Sequence, residues 1–235
     1  MYKIFPIKSL IYLISVVALT TYMGAELVKS AFEFEVRLFA IPGIIWIILL
    51  AMALNPIWRT LWKLSAKVPF IPDLNDKVFP DLNGEWDMVL ESNWSRQEQI
   101  LAAARDGRRS FDIKTCNQDD LEPLLQIKLK AKIEQSWWSI KITAANPQQD
   151  TPIKESQTYI INPSKKADNR RASLCYFYDQ TNDTDNQADD PVFSASACIS
   201  YDHKTGSLEG TFWTARQWRR AINTAGRIIL TRSNS

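Results

Sequence analysis

The groups that could do chemistry in this chain are few. There is one histidine, His203, in the turn-like run Asp202-His203-Lys204-Thr205-Gly206, and a single turn-borne imidazole offers no nucleophile–base pair. The three cysteines, Cys116, Cys175 and Cys198, have no C-x-x-C spacing, so they propose neither a zinc site nor a disulfide framework, and read as unpaired they fit a reducing compartment. Neither G-x-x-x-x-G-K nor G-x-G-x-x-G occurs, which removes the usual phosphate-cradling loops. The run from Asp179 to Asp190 begins Asp183-x-Asp185 as a calcium loop does. Ala188 stands where the turn glycine belongs and Ser194 where the closing glutamate belongs, so it reads as a solvated acidic loop. These absences point away from an enzyme and call for no cofactor or metal. What is left is recognition chemistry: Trp86, Trp137, Trp138, Tyr176, Tyr178, Phe212 and Trp213 offer flat faces for stacking. Arg170, Arg171, Arg216, Arg219 and Arg220 offer forks for phosphate.

The elements that would position these groups follow from periodicity. Leu125, Ile127, Leu129, Ala131 and Ile133 alternate with Gln126, Lys128, Lys130 and Lys132, the pattern of a strand with one buried and one lysine-bearing face. Similar strands are expected from Gly84, at 137–143, 157–162, 173–179, 192–201, 208–215 and 226–232, with a further short strand possible at 111–116. Ser95-Arg96-Gln97-Glu98 has the form of a capping box and predicts one short helix over 96–105. Short alternating strands with little helix predict an antiparallel β-barrel of about eight strands, with a two-sheet sandwich as the alternative. Alternation places Phe212, Thr214 and Arg216 on one face.

Ahead of this domain, residues 9–25 and 38–58 carry no formal charge. Each run approaches the roughly 20 apolar residues that cross a bilayer, and together they predict a two-helix transmembrane hairpin. A cleaved leader is the competing reading of the first run, but the run is longer than an ordinary leader core and no A-x-A-like site closes it. Neither run contains an internal charge, which argues against an ion pathway. Lys3 and Lys8 precede the first run and Arg59, Lys63 and Lys67 follow the second, so the positive-inside rule places both termini in the cytoplasm. Trp58 and Trp62 fall one helical turn apart, as do Arg59, Lys63 and Lys67, which predicts a juxtamembrane helix with an aromatic belt and a basic row at the membrane surface. The expected division is a hairpin over 1–68, a Pro-rich linker over 69–78 and the β-domain over 79–235. A net charge of +2 gives no reason to expect DNA or RNA as a partner.

Two apolar runs, then P-D-L-N-G-E-W at 80–86, L-C-Y-F-Y at 174–178, L-E-G-T-F-W-T-A-R at 208–216 and G-R-I-I-L at 226–230 make the chain similar to a known group. It resembles the two-transmembrane, β-strand-rich effectors of bacterial CBASS antiphage systems. The resemblance implies a minimal β-barrel that binds a cyclic di- or trinucleotide made by a partner nucleotidyltransferase. It implies a protein that then oligomerises, and spans that disrupt the inner membrane to kill the infected cell. Within that reading Trp86, Tyr176, Tyr178, Thr214 and Arg216 are the expected pocket residues. Residues 96–123 and Trp218–Ile222 depart from the pattern. The reading that competes with it is a membrane-anchored scaffold whose barrel is fully packed and whose spans are passive.

Overall fold

The computed structural model describes residues 4–5, 7–32, 40–70, 72–106, 111–148, 151–165, 171–183 and 189–233. The chain divides into two compact units, Met1–Asp81 with Gln135–Ser139, and Leu82–Glu134 with Ile140–Ser235.

In the first unit α1 spans Ile7–Phe32 and is long and apolar enough to cross a membrane. α2, Ala40–Ala53, has 14 residues and rises only about 21 Å, short of the roughly 30 Å of a hydrocarbon core. It continues after a single residue into α3, Asn55–Ser65, but the two helices are bent by 67°, so the second run is a broken helix rather than one straight span. Pro56 in the first turn of α3 accounts for the break, because proline removes a donor and disfavours helix in the residue before it. The membrane-surface expectation for α3 is corrected in part. Trp58 and Trp62 are buried, edge to face with ring centres 5.5 Å apart, rather than displayed as a belt. Trp62 Nε1 donates to the Phe79 carbonyl at 2.8 Å, and Arg59 pairs with Asp81 at 2.8 Å. Lys63 and Lys67 stay exposed. A one-turn helix α4, Leu74–Lys77, interrupts the expected linker, with Asp73 as its N-cap.

The second unit is a closed, up-and-down antiparallel barrel: β1 Gly84–Ser92, β2 Leu125–Gln135, β3 Ile140–Ala145, β4 Ile153–Ser164, β5 Ser173–Asn182, β6 Val192–Asp202, β7 Ser207–Thr214 and β8 Ala225–Arg232. β8 returns to β1, with Met88 opposite Leu230, so no sheet edge is left open. The sandwich alternative is thereby excluded. β4 and β5 both run further than their apolar alternation predicts. No strand forms at 111–116, where the chain turns on the Asp112 carboxylate, which accepts from the Lys114 amide at 3.0 Å.

The interior is layered. Trp86, Ile133, Leu174, Ile199, Leu208 and Leu230 are essentially inaccessible and fill the end at which the chain enters the barrel. Met88, Leu129, Ile142, Tyr176 and Ile228 form the next layer, and Leu90, Tyr178, Ala195 and Phe212 the one above. Close strand approach depends on two glycines. A Cβ on Gly210 or Gly226 would lie 1.9 Å from the Cys198 or Glu91 carbonyl oxygen respectively. Where β4 shifts register, the Thr158 hydroxyl substitutes for backbone, accepting from the Ile142 amide at 2.9 Å and donating to its carbonyl at 3.1 Å.

The cysteines do not stay unpaired. Cys175 and Cys198 face each other across β5 and β6 on the outer surface and are joined by a disulfide, while Cys116 is free. That pairing corrects the sequence reading and withdraws the support the cysteines lent to a reducing compartment.

Candidate functional site

At the barrel end away from Gly84 the side-chain layers stop short, leaving a cavity of about 260 Å³. The alternation that carries apolar residues inward continues here with polar ones. Gln180 and Asn182 on β5, Thr214 on β7 and Thr224 before β8 all point in and are buried. Leu90, Ile127, Phe193 and Phe212 give the cavity its apolar wall.

A polar network runs along one side. The Gln180 side-chain amide donates to Asn182 Oδ1 at 3.0 Å, and the Asn182 amide donates to Asp189 Oδ2 at 3.2 Å. Arg216 Nε donates to the other oxygen of Asp189, and the Arg216 guanidinium lies 4.5 Å from the centre of the Trp94 ring. The Asp189 side chain is 3% exposed and that of Arg216 is 16% exposed, so this ion pair is largely out of water. Such a pair persists only when both partners are well bonded, as these are.

Neighbouring backbone is fixed with equal care. Asp190 accepts from the Gln217 amide at 2.7 Å and also from its side chain. Gln217 sits at φ 43° and Ala221 at φ 56°, left-handed conformations that residues with a Cβ seldom adopt. They bracket the exposed single 3-10 turn Trp218–Arg220, where the Arg219 guanidinium lies 5.3 Å from the centre of the Trp218 ring. The Thr214 and Thr224 hydroxyls are 3.0 Å apart and close the β7–β8 connection. On the other side α5, Trp94–Arg105, brings Trp94 to the rim. Gln99 binds this helix to the Asp120 carbonyl at 2.7 Å and to the Glu122 amide at 3.0 Å, which braces α5 against residues 120–122.

The five expected pocket residues separate into three places. Thr214 and Arg216 line the cavity. Tyr176 and Tyr178, with ring centres 5.8 Å apart, lie deeper in the barrel, and burial pushes both phenols well above their ordinary pKa near 10, so they are neutral. Trp86 is at the opposite end, its Nε1 donating to the Leu82 carbonyl at 3.0 Å and its ring covered by Arg232 at 4.6 Å. Trp94, Gln180, Asn182 and Asp189 join Thr214 and Arg216, and alternation alone did not mark them. Asp189, read as part of a solvated loop, is a buried anchor; residues 184–188 of that loop, with Asp185 and Ala188, lie outside the described residues. Arg170 lies outside them too. Among the described residues no cluster of His, Cys, Asp or Glu could hold a metal ion.

A curated protein named CD-NTase-associated protein 15, from Escherichia albertii, is 27% identical to this chain over 177 residues, which is 74% of this chain and 71% of that protein. The chain is a relative of that protein. No family model matches it.

Proposed function

We propose that the barrel is a sensor for a cyclic di- or trinucleotide and that the N-terminal helices carry its output in a membrane. The observation that carries the reading is the cavity at the barrel mouth, walled by apolar and aromatic side chains on one side and by the Gln180–Asn182–Asp189–Arg216 network on the other. A few fixed polar groups on an apolar wall are the usual make-up of a small-molecule site. The relative's name ties that protein to a nucleotidyltransferase, and the resemblance of the sequence to CBASS effectors supports the same link here. In this reading the protein is not an enzyme and sits in the bacterial inner membrane. α1 and the broken α2–α3 helix make two passes, with both termini and the barrel in the cytoplasm. Ligand drives self-association, and with no charge inside either apolar run, clustered helices perturb the bilayer rather than form a selective channel. Lys63 and Lys67 face anionic headgroups.

The scaffold alternative needs a filled barrel. Its lower layers are filled, as Trp86, Tyr176 and Tyr178 show, but its mouth is not. The test is binding of cyclic di-AMP, cyclic di-GMP, cyclic di-UMP and cyclic tri-AMP to the full chain in lipid nanodiscs, followed by leakage of dye from vesicles carrying it. At least one nucleotide is expected to bind and to trigger leakage. Failure of the whole panel to bind returns the protein to the scaffold reading.

A further inference from the structure

We infer that the cavity takes a single nucleobase, read edge-on by Gln180, while the phosphates of the ligand stay outside on the arginine rim. The inference rests on the cyclic-nucleotide reading and specifies how the ligand sits. Size comes first. About 260 Å³ lies below the roughly 300–1,000 Å³ of pockets that enclose drug-sized ligands. Two linked nucleotides do not fit inside, and one flat base against Phe193 and Phe212 does.

Hydrogen-bond capacity comes second. Gln180 uses one N–H on Asn182 Oδ1, which leaves its second N–H beside its own carbonyl oxygen. A donor next to an acceptor matches the edge of a base, and amide side chains pair in this way with adenine. Asn182 holds that amide in place and is itself held by Asp189.

Charge comes third. Among the described residues Arg216 is the cation that lines the cavity, and Asp189 already neutralises it, so a phosphate brought inside would meet a buried carboxylate. Arg219 and Arg220 are exposed on the Trp218–Arg220 turn, outside the cavity, and carry the charge that phosphates need.

The experiment measures affinities of the same nucleotide panel for the full chain and for Gln180→Met and Arg219→Ala/Arg220→Ala variants, with melting temperature as a fold check. Losing the base-reading amide from a buried site should weaken the tightest binder by about thirtyfold and flatten the ranking among bases. Losing the rim arginines should weaken every member by about tenfold, reduce the salt dependence and leave the ranking intact. Competition by free nucleosides needs no variant and covers the case in which Gln180→Met fails to fold. Adenosine, guanosine or uridine, according to the preferred base, should displace the bound ligand, and inorganic phosphate should not. A folded Gln180→Met with an unchanged ranking, or displacement by phosphate but not by nucleoside, overturns the single-base site while leaving the sensor reading standing. Failure of every cyclic nucleotide to bind the unaltered chain overturns the sensor reading itself.

Discussion

The two ends of the barrel are made of opposite materials. Where the chain enters, Trp86, Leu82, Leu174, Ile199 and Leu230 leave no accessible surface, and the Arg232 guanidinium covers the Trp86 ring from outside. At the mouth the same inward positions carry Gln180, Asn182, Thr214 and Thr224, and the half-buried Arg216 pairs with the buried Asp189 within the wall rather than covering it from outside. One end gains stability from area removed from water. The other spends polar groups on a shape that stays partly empty, which costs stability unless each group is bonded. A barrel that only needed to fold would be built twice like the first end. The difference singles out the mouth as the candidate site and the Trp86 end as the foundation of the fold.

The largest effect should come from the foundation. Trp86→Ala removes an inaccessible indole and its hydrogen bond, and is expected to cost about 3–5 kcal/mol, read as a shift in the urea midpoint of the barrel transition. A loss under 1 kcal/mol would show that the closed end is not the foundation. Arg216→Ala at the mouth leaves Asp189, 3% exposed, without its cation. The expected cost is about 2–4 kcal/mol, toward the lower part of the range for a broken buried pair because Arg216 keeps some solvent contact. The double variant Arg216→Met/Asp189→Asn should recover at least half of that loss while leaving ligand affinity low. If stability and affinity recover together, the pair is structural and the mouth is no more specialised than the base.

How much of this was legible follows from what periodicity measures. The barrel strands were readable because an apolar residue at every second position signals a buried face, as from Leu125 to Ile133. The same signal ended β5 at Asp179, because the next inward residues are Gln180 and Asn182, polar yet buried. Alternation by hydrophobicity fails wherever inward positions turn polar, and at the barrel mouth they do, so the candidate site was hidden by its own polarity. Trp58 and Trp62 failed for a related reason. Spacing placed them on one helix face, but only tertiary structure decides whether that face meets a bilayer or the Phe79 segment. Arg216 was legible by type and phase, and its partner Asp189 was not, because a loop residue has no period.

A smaller effect separates the middle of the barrel from both ends. Burial raises the phenol pKa of Tyr176 and Tyr178 above the ordinary value near 10. The stability they contribute is fully present below the unfolded pKa and is lost as pH rises above it toward the folded value, because the unfolded state then releases protons that the folded state keeps. The slope should reach at most about 1.4 kcal/mol per pH unit for each tyrosine. Tyr176→Phe should remove one tyrosine's share of the alkaline slope, measured by denaturant titration from pH 8 to 11. An unchanged slope in that variant would mean that other groups govern alkaline unfolding.

The smallest effect belongs to the outer wall, which neither end uses. Asp87 and Lys130 face each other on neighbouring strands β1 and β2, and the lysine hydrogen bond holds the Asp87 carboxyl below its ordinary range. A depressed carboxylate contributes stability above its unfolded pKa, and that contribution is lost as pH falls through the folded value. The window therefore lies below about pH 4, on the opposite side of neutrality from the tyrosines. Because the pair is open to solvent, screening leaves it little weight. Asp87→Asn should leave the melting temperature at pH 7 within the error of the wild-type value, flatten the acid limb slightly, and leave nucleotide affinity unchanged. A large loss at neutral pH would show that the outer lysine face of β2 is tied to the barrel's stability as closely as its interior, and the contrast between the two ends would no longer describe where this fold is held.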